Sequence, residues 1–201
     1  MRLIDAYAKL LSLKQPIFQT RDASNCLNIP LRYASKVLAR LREAGFLIQL
    51  MRGQWAIAGQ IDPLIIPEYL TAPSPCYISL QTALFHHGMI SQIPAVVYAV
   101  SLARTHRYET PVGVFSVHHI KADFFFGFNL VEKSGIKMAS PEKALLDTLY
   151  LSPTHSLLFK TLPELELPPT FRLKKARNMI QKIKSDRLRT FVSKKLKEIL
   201  S

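Results

Sequence analysis

The sequence predicts an α+β fold in two parts, an N-terminal winged helix-turn-helix over residues 1–58 and a mixed α+β domain over 76–201 that ends in a basic helical tail. Three observations carry that expectation. Helix, breaker and hairpin signals succeed one another over residues 16–58 in the order a winged helix needs. Runs rich in Val, Phe, Ile and Tyr between two helix starts follow in the middle of the chain. Net positive charge is concentrated at both ends and absent from the middle.

Residues 2–13 open the first part, with Leu3, Tyr7, Leu10 and Leu11 in a stripe at helical spacing that Pro16 brings to a close. Thr20 is placed to cap a short helix over 21–27, where Asp22 suits the positive end of the helix dipole. Asn28, Ile29 and Pro30 form the turn. A third helix is predicted over 31–44, because proline is tolerated in a first helical turn and Gly45 supplies a left-handed stop. Its Ala34, Val37, Leu38 and Leu41 share one face, while Arg32, Lys36 and Arg40 recur every four residues on another. The β-prone runs 46–50 and 54–58, joined by Met51, Arg52 and Gly53, complete a hairpin with Arg52 at its tip.

Residues 59–75 contain Pro63, Pro67, Pro73 and Pro75, and are expected to form a semi-rigid spacer. Beyond it, Ser79 suits a helix start and Gly88 a helix end, followed by β-rich runs over 95–102, 113–120, 124–130 and 136–139. Ser140-Pro141-Glu142 reads as a second helix start, with Ala144, Leu145, Thr148 and Leu149 on its buried side. After a proline-interrupted stretch over 162–169, residues 171–200 read as one or two amphipathic helices. Leu173, Ala176, Ile180 and Ile183 form one apolar stripe; Leu188, Phe191, Val192, Leu196 and Ile199 form another.

The chain of 201 residues carries a net charge of +13, distributed as +6 over residues 1–58, −2 over 59–170 and +9 over 171–201. Clustered cations release counterions from nucleic acid, so this distribution favours a polyanionic partner at both ends. Cys26 and Cys76 stand fifty residues apart without a CxxC pair, which argues against a disulfide framework or zinc ribbon and for reduced thiols in a cytoplasmic protein. Arg2 and Asp5 interrupt any N-terminal apolar run, and no stretch approaches the ~20 apolar residues of a membrane span.

A helix lying in the major groove presents its N-terminal and outward side chains to base edges, and a basic wing tip beside it reaches phosphate. Arg32, Tyr33, Ser35, Lys36, Arg40, Arg52 and Gln54 are therefore the candidate DNA-binding residues. In isolation, three basic residues on a helix describe any solvated face; the order of elements around them favours DNA. For the tail, Arg172, Lys174, Lys175, Arg177 and Lys182 are candidates for a secondary nucleic-acid contact, the alternative being a docked helix whose lysines only confer solubility.

No catalytic, metal or cofactor site is expected. His86 and His87 diverge on a helix, and His118 and His119 point to opposite faces of a strand. A metal-dependent nuclease would draw on Asp123, Glu142 and Lys143, but the last two lack the intervening residue of a Glu-x-Lys strand and begin a helix. Neither a glycine-rich phosphate loop nor a nucleophile elbow is present.

The run from Tyr77 to Ile90, YISLQTALFHHGMI, followed by Ile93-Pro94 and by Ala139 to Asp147, ASPEKALLD, resembles the AbiEi family. These are bacterial antitoxins of abortive-infection operons and related transcriptional regulators, and with the winged helix the resemblance spans nearly the whole chain. It implies a repressor that binds inverted repeats in the promoter of its own operon on double-stranded DNA. It also implies that the protein opposes a nucleotidyltransferase-like toxin without forming a stable complex. The free protein would be a monomer, paired on DNA. A solitary regulator, or a nucleic-acid-binding module without a toxin partner, fits the same residues.

Overall fold

The computed structural model describes residues 2–59, 61–131, 135–153 and 165–200. Helix α1 (Leu3–Leu11) buries Ala6 and Leu10, and Tyr7 from its flank meets the ring of Phe46 at 4.8 Å between centroids. Next comes a strand absent from the sequence expectation, β1 (Ile17–Gln19), then α2 (Thr20–Leu27) and α3 (Leu31–Glu43). A hairpin follows, β2 (Leu47–Met51) and β3 (Gln54–Ile57), and β1 pairs with β3 to give a three-stranded antiparallel sheet ordered β1-β3-β2.

Thr20 does not cap α2. That position belongs to Gln19, whose N–H donates to Asp22 Oδ2 at 2.7 Å. The Thr20 hydroxyl instead accepts from Trp55 Nε1 at 2.9 Å, giving the buried indole its partner. Between α2 and α3, Asn28 takes a left-handed conformation at φ 53°, and Ser24 Oγ donates to the Ile29 carbonyl at 2.6 Å. Gly45, at φ 78°, ends α3, and the Phe46 N–H returns to the Leu41 carbonyl at 2.9 Å.

The stretch expected as a spacer is part of the core. Pro63 and Pro67 stand in the opening turns of a 3-10 turn (Pro63–Ile65) and of α4 (Ile66–Thr71), where a missing N–H costs nothing. Ile66 and Leu70 are buried with Ile17, Leu50 and Ala56 from the first part and Phe115 from the second. Gln54 Nε2 also donates to the Tyr69 carbonyl at 3.0 Å.

The second part contains β4 (Cys76–Ile78), α5 (Leu80–His86), β5 (Val97–Ser101), β6 (His106–Thr110), β7 (Gly113–His119), β8 (Phe128–Leu130) and β9 (Lys137–Ala139). They build a six-stranded sheet ordered β6-β7-β5-β4-β9-β8, in which β5–β7 and β4–β9 are parallel and the other pairs antiparallel. The architecture is α+β. Helix α6 (Pro141–Leu151) lies against α5, β9 and the two tail helices, α7 (Leu173–Ile180) and α8 (Asp186–Leu200). Both apolar stripes of the tail dock, burying Ala176, Ile180, Ile183, Val192 and Leu196. Of the proline-interrupted stretch, residues 162–164 lie outside the described residues, as does Gln60 of the expected spacer.

The sequence pattern predicts one-sided burial of α6, with Ser140 as its cap. Ser140 Oγ does accept from the Lys143 N–H, at 3.4 Å, yet Glu142, Lys143 and Asp147 are buried along with the apolar residues. Lys143 and Asp147 are both 0% exposed and form an i,i+4 ion pair. Asp147 Oδ2 also accepts from Tyr77 at 2.9 Å and from Ser79 at 2.7 Å, so the Ser79 hydroxyl is a ligand of this carboxylate and no helix cap. The Lys143 ammonium stands 3.7 Å from the centroid of the Phe124 ring. Burial raises the Asp147 carboxyl and lowers the Lys143 ammonium, and each charge opposes the shift of the other.

Gly127 lies against the Lys143 stem. At its φ of 81°, an added Cβ would stand 3.1 Å from Met179 Cε and 3.2 Å from the Lys143 stem. Gly127→Ala is expected to cost about 1–3 kcal/mol through backbone strain and crowding, read as a lowered urea midpoint with unchanged m-value.

A buried histidine makes stability depend on pH. His118 is buried, with Nε2 3.0 Å from Ser116 Oγ, and burial holds its imidazole below its ordinary range. The unfolded chain therefore binds this proton first as pH falls through about 6.5, and stability declines from there until the folded imidazole also titrates. His87 shifts in the same direction, chiefly through burial. His118→Gln is expected to flatten the fall in urea midpoint between pH 7.5 and 5.5; an unaltered pH dependence would assign the effect elsewhere.

Candidate nucleic-acid interface

Helix α3 stands on Ala34, Val37, Leu38 and Leu41, all buried, which turns the opposite face outward. Arg32, Tyr33, Ser35, Lys36 and Arg40 are all exposed there, Tyr33 by 49%. Among the described residues, none of Arg32, Lys36, Arg40 and Arg52 is ion-paired with a carboxylate. Asp22, the acidic residue on the neighbouring helix, is engaged by the Gln19 N–H. Ser35 Oγ donates to the Leu31 carbonyl at 3.1 Å, leaving its lone pairs free to accept.

Arg52 occupies the exposed turn between β2 and β3, as the hairpin spacing predicts. Gln54 departs from the expectation. It is 8% exposed, and its amide is held against Tyr69 at the junction, because the first residue of β3 points into the junction and not along the hairpin edge. Arg42, which the sequence pattern does not single out, donates from Nη1 to Gln49 Oε1 at 2.8 Å and is thereby fixed beside the hairpin.

The tail candidates divide. Arg172, Lys174, Lys175, Arg177 and Lys182 are exposed on and around α7. All but Arg177 line, with Phe126 and Asn178, an open depression of about 410 Å³. Beneath it lies Glu142, which accepts from the Arg172 N–H at 3.0 Å, from Ser140 Oγ at 2.8 Å and from Lys175 Nζ at 2.9 Å. Burial raises the Glu142 carboxyl, but these donors outweigh it and hold the group below the usual carboxylate range. Lys182 Nζ lies 4.4 Å from the centroid of Phe126.

The residues a nuclease would need have other occupations. Asp123 faces Lys184 at 3.8 Å, Glu142 orders the start of α7, and Lys143 is sealed with Asp147. Among the described residues no group of three or more His, Cys, Asp or Glu side chains is placed to hold a metal ion. His87 Nε2 is 2.7 Å from the Ala139 carbonyl and His119 Nδ1 is 3.1 Å from that of Ala103. No described helix is long and apolar enough to cross a membrane. No protein-family model matches the chain, and no curated protein matches it.

Proposed function

We propose that the protein is a DNA-binding transcriptional regulator that reads duplex DNA through the outward face of α3 and steadies itself with the wing. One observation carries the reading. Arg32, Lys36 and Arg40 stand exposed and, among the described residues, without carboxylate partners on one face of a helix whose opposite face is buried, with Arg52 at the tip of the adjoining hairpin. Phosphate contacts from Arg40 and Arg52 would set the register, while Arg32, Tyr33, Ser35 and Lys36 address base edges. Repression follows from occupying the promoter.

The motif blocks around His87 and Glu142 support the antitoxin form of this reading, in which a cytoplasmic monomer pairs on the inverted repeats of its own promoter and counteracts a nucleotidyltransferase-like toxin. The depression beside α7 supports a secondary backbone contact from Arg172, Lys174, Lys175 and Lys182, with Arg177 outside it. A gel-shift titration with the duplex upstream of the gene and an unrelated duplex tests the reading. Preference for the upstream duplex, weakening steeply with salt, is expected. No shift at low salt, or equal shifts with both duplexes, would reject it. Co-expression with such a toxin, scored by growth, tests the antitoxin role.

A further inference from the structure

The wing and the turn between β6 and β7 border an open depression of about 480 Å³ that shares only Arg52 with the proposed DNA contacts. Its apolar lining is Leu47, Ile48, Met51 and Pro111; its polar lining is Arg42, Gln49 and Arg52, with no acidic side chain. Met51 is 41% exposed, a large apolar surface left facing solvent at the end of a strand. The pairing of β2 with β3 shifts between Gln49 and Met51, an irregularity of the kind that re-aims side chains beside binding sites. Gln49 holds Arg42 by one nitrogen, so the rest of its guanidinium fork remains available.

Sites for small molecules combine this range of volume with a mostly apolar wall and a few fixed polar groups. Guanidinium forks match carboxylates in bidentate geometry, and an apolar body beside that carboxylate would cover Ile48, Met51 and Pro111. A bare phosphate would leave that apolar lining uncovered. We infer that this depression binds a small amphipathic carboxylate, an aliphatic or aromatic acid, between the wing and the second part of the chain. The consequence for regulation rests on the DNA reading proposed above. An acid that engages Arg52 withdraws the wing-tip cation from phosphate, so the bound form holds DNA less tightly.

The test begins without DNA. Full-length protein is titrated with octanoate, octan-1-ol and inorganic phosphate, and amide chemical shifts are followed by NMR. Octanoate is expected to bind saturably, with the largest shifts at Arg42, Ile48, Gln49, Met51 and Arg52. Octan-1-ol and phosphate should each bind about tenfold more weakly or worse, and Arg42→Ala and Met51→Asp, both at exposed positions, should each lower octanoate affinity about tenfold. Absence of saturable octanoate binding, equal binding of the alcohol, or unchanged affinity in both variants would overturn the inference. A second titration adds duplex DNA, which octanoate should release from the wild type and not from Arg42→Ala. Failure of the protein to bind any duplex would sink the DNA reading while leaving the DNA-free result to decide the site.

Discussion

Asp147→Ala is expected to destabilise the protein by about 3–5 kcal/mol, among the largest effects available to a single substitution here. It would leave the fully buried Lys143 ammonium without a counter-charge and the hydroxyls of Tyr77 and Ser79 without an acceptor. Burial already disfavours the charged lysine, so a variant that survives does so by holding Lys143 neutral. Urea unfolding measures the loss. The double variant Lys143→Met with Asp147→Leu should recover much of it, because removing both charges together eliminates the desolvation penalty along with the attraction. A single variant within about 1 kcal/mol of wild type would mean that water reaches the pair.

Lys36→Ala combined with Arg40→Ala is expected to weaken binding to the upstream duplex about a hundredfold, near 3 kcal/mol in sum. The slope of log affinity against log salt should fall by about two if both side chains meet phosphate, and by less if Lys36 meets a base. Either outcome is read from the same titration at several salt concentrations. Because both side chains are exposed and outside the helix's packed face, the folded state should persist with an unchanged unfolding midpoint. Unchanged affinity and slope would remove α3 from the interface.

The helices of the first part were legible because periodicity and punctuation agree there. Val37, Leu38 and Leu41 repeat at helical spacing, Pro30 opens α3 and Gly45 closes it. Strand β1 was not legible, since three residues carry no period and its pairing with β3 is a long-range contact. The polar edge strand β6, His106–Thr110, lacks the apolar alternation that marks a half-buried strand. Four prolines suggested a spacer; two of them start short helices, a distinction that composition alone does not contain.

The site divides in the same way. Exposure of Arg32, Lys36 and Arg40 follows from the apolar face behind them, so pattern alone finds it. The burial of Gln54 depends on Tyr69, fifteen residues on, and the hold of Glu142 on Lys175 spans thirty-three residues. Charged side chains near a helix start ordinarily face water, so the pattern of α6 alone predicts one buried side. The tyrosine and serine that make its carboxylate tolerable come from β4 and the residue after it, elements that no local window connects.

The junction core built from Ile66 and Leu70 bears on how two copies would share an inverted repeat. A loosely tethered reading head accommodates many separations between half-sites, because its linker searches space as a coil. Here the first part of the chain is wedged against Phe115 by buried side chains, so on the proposed reading its reach along DNA would be set by the fold. Two such copies would be phased to the DNA helix. Inserting about five base pairs between half-sites turns one of them to the far side of the duplex, and inserting about ten brings it back.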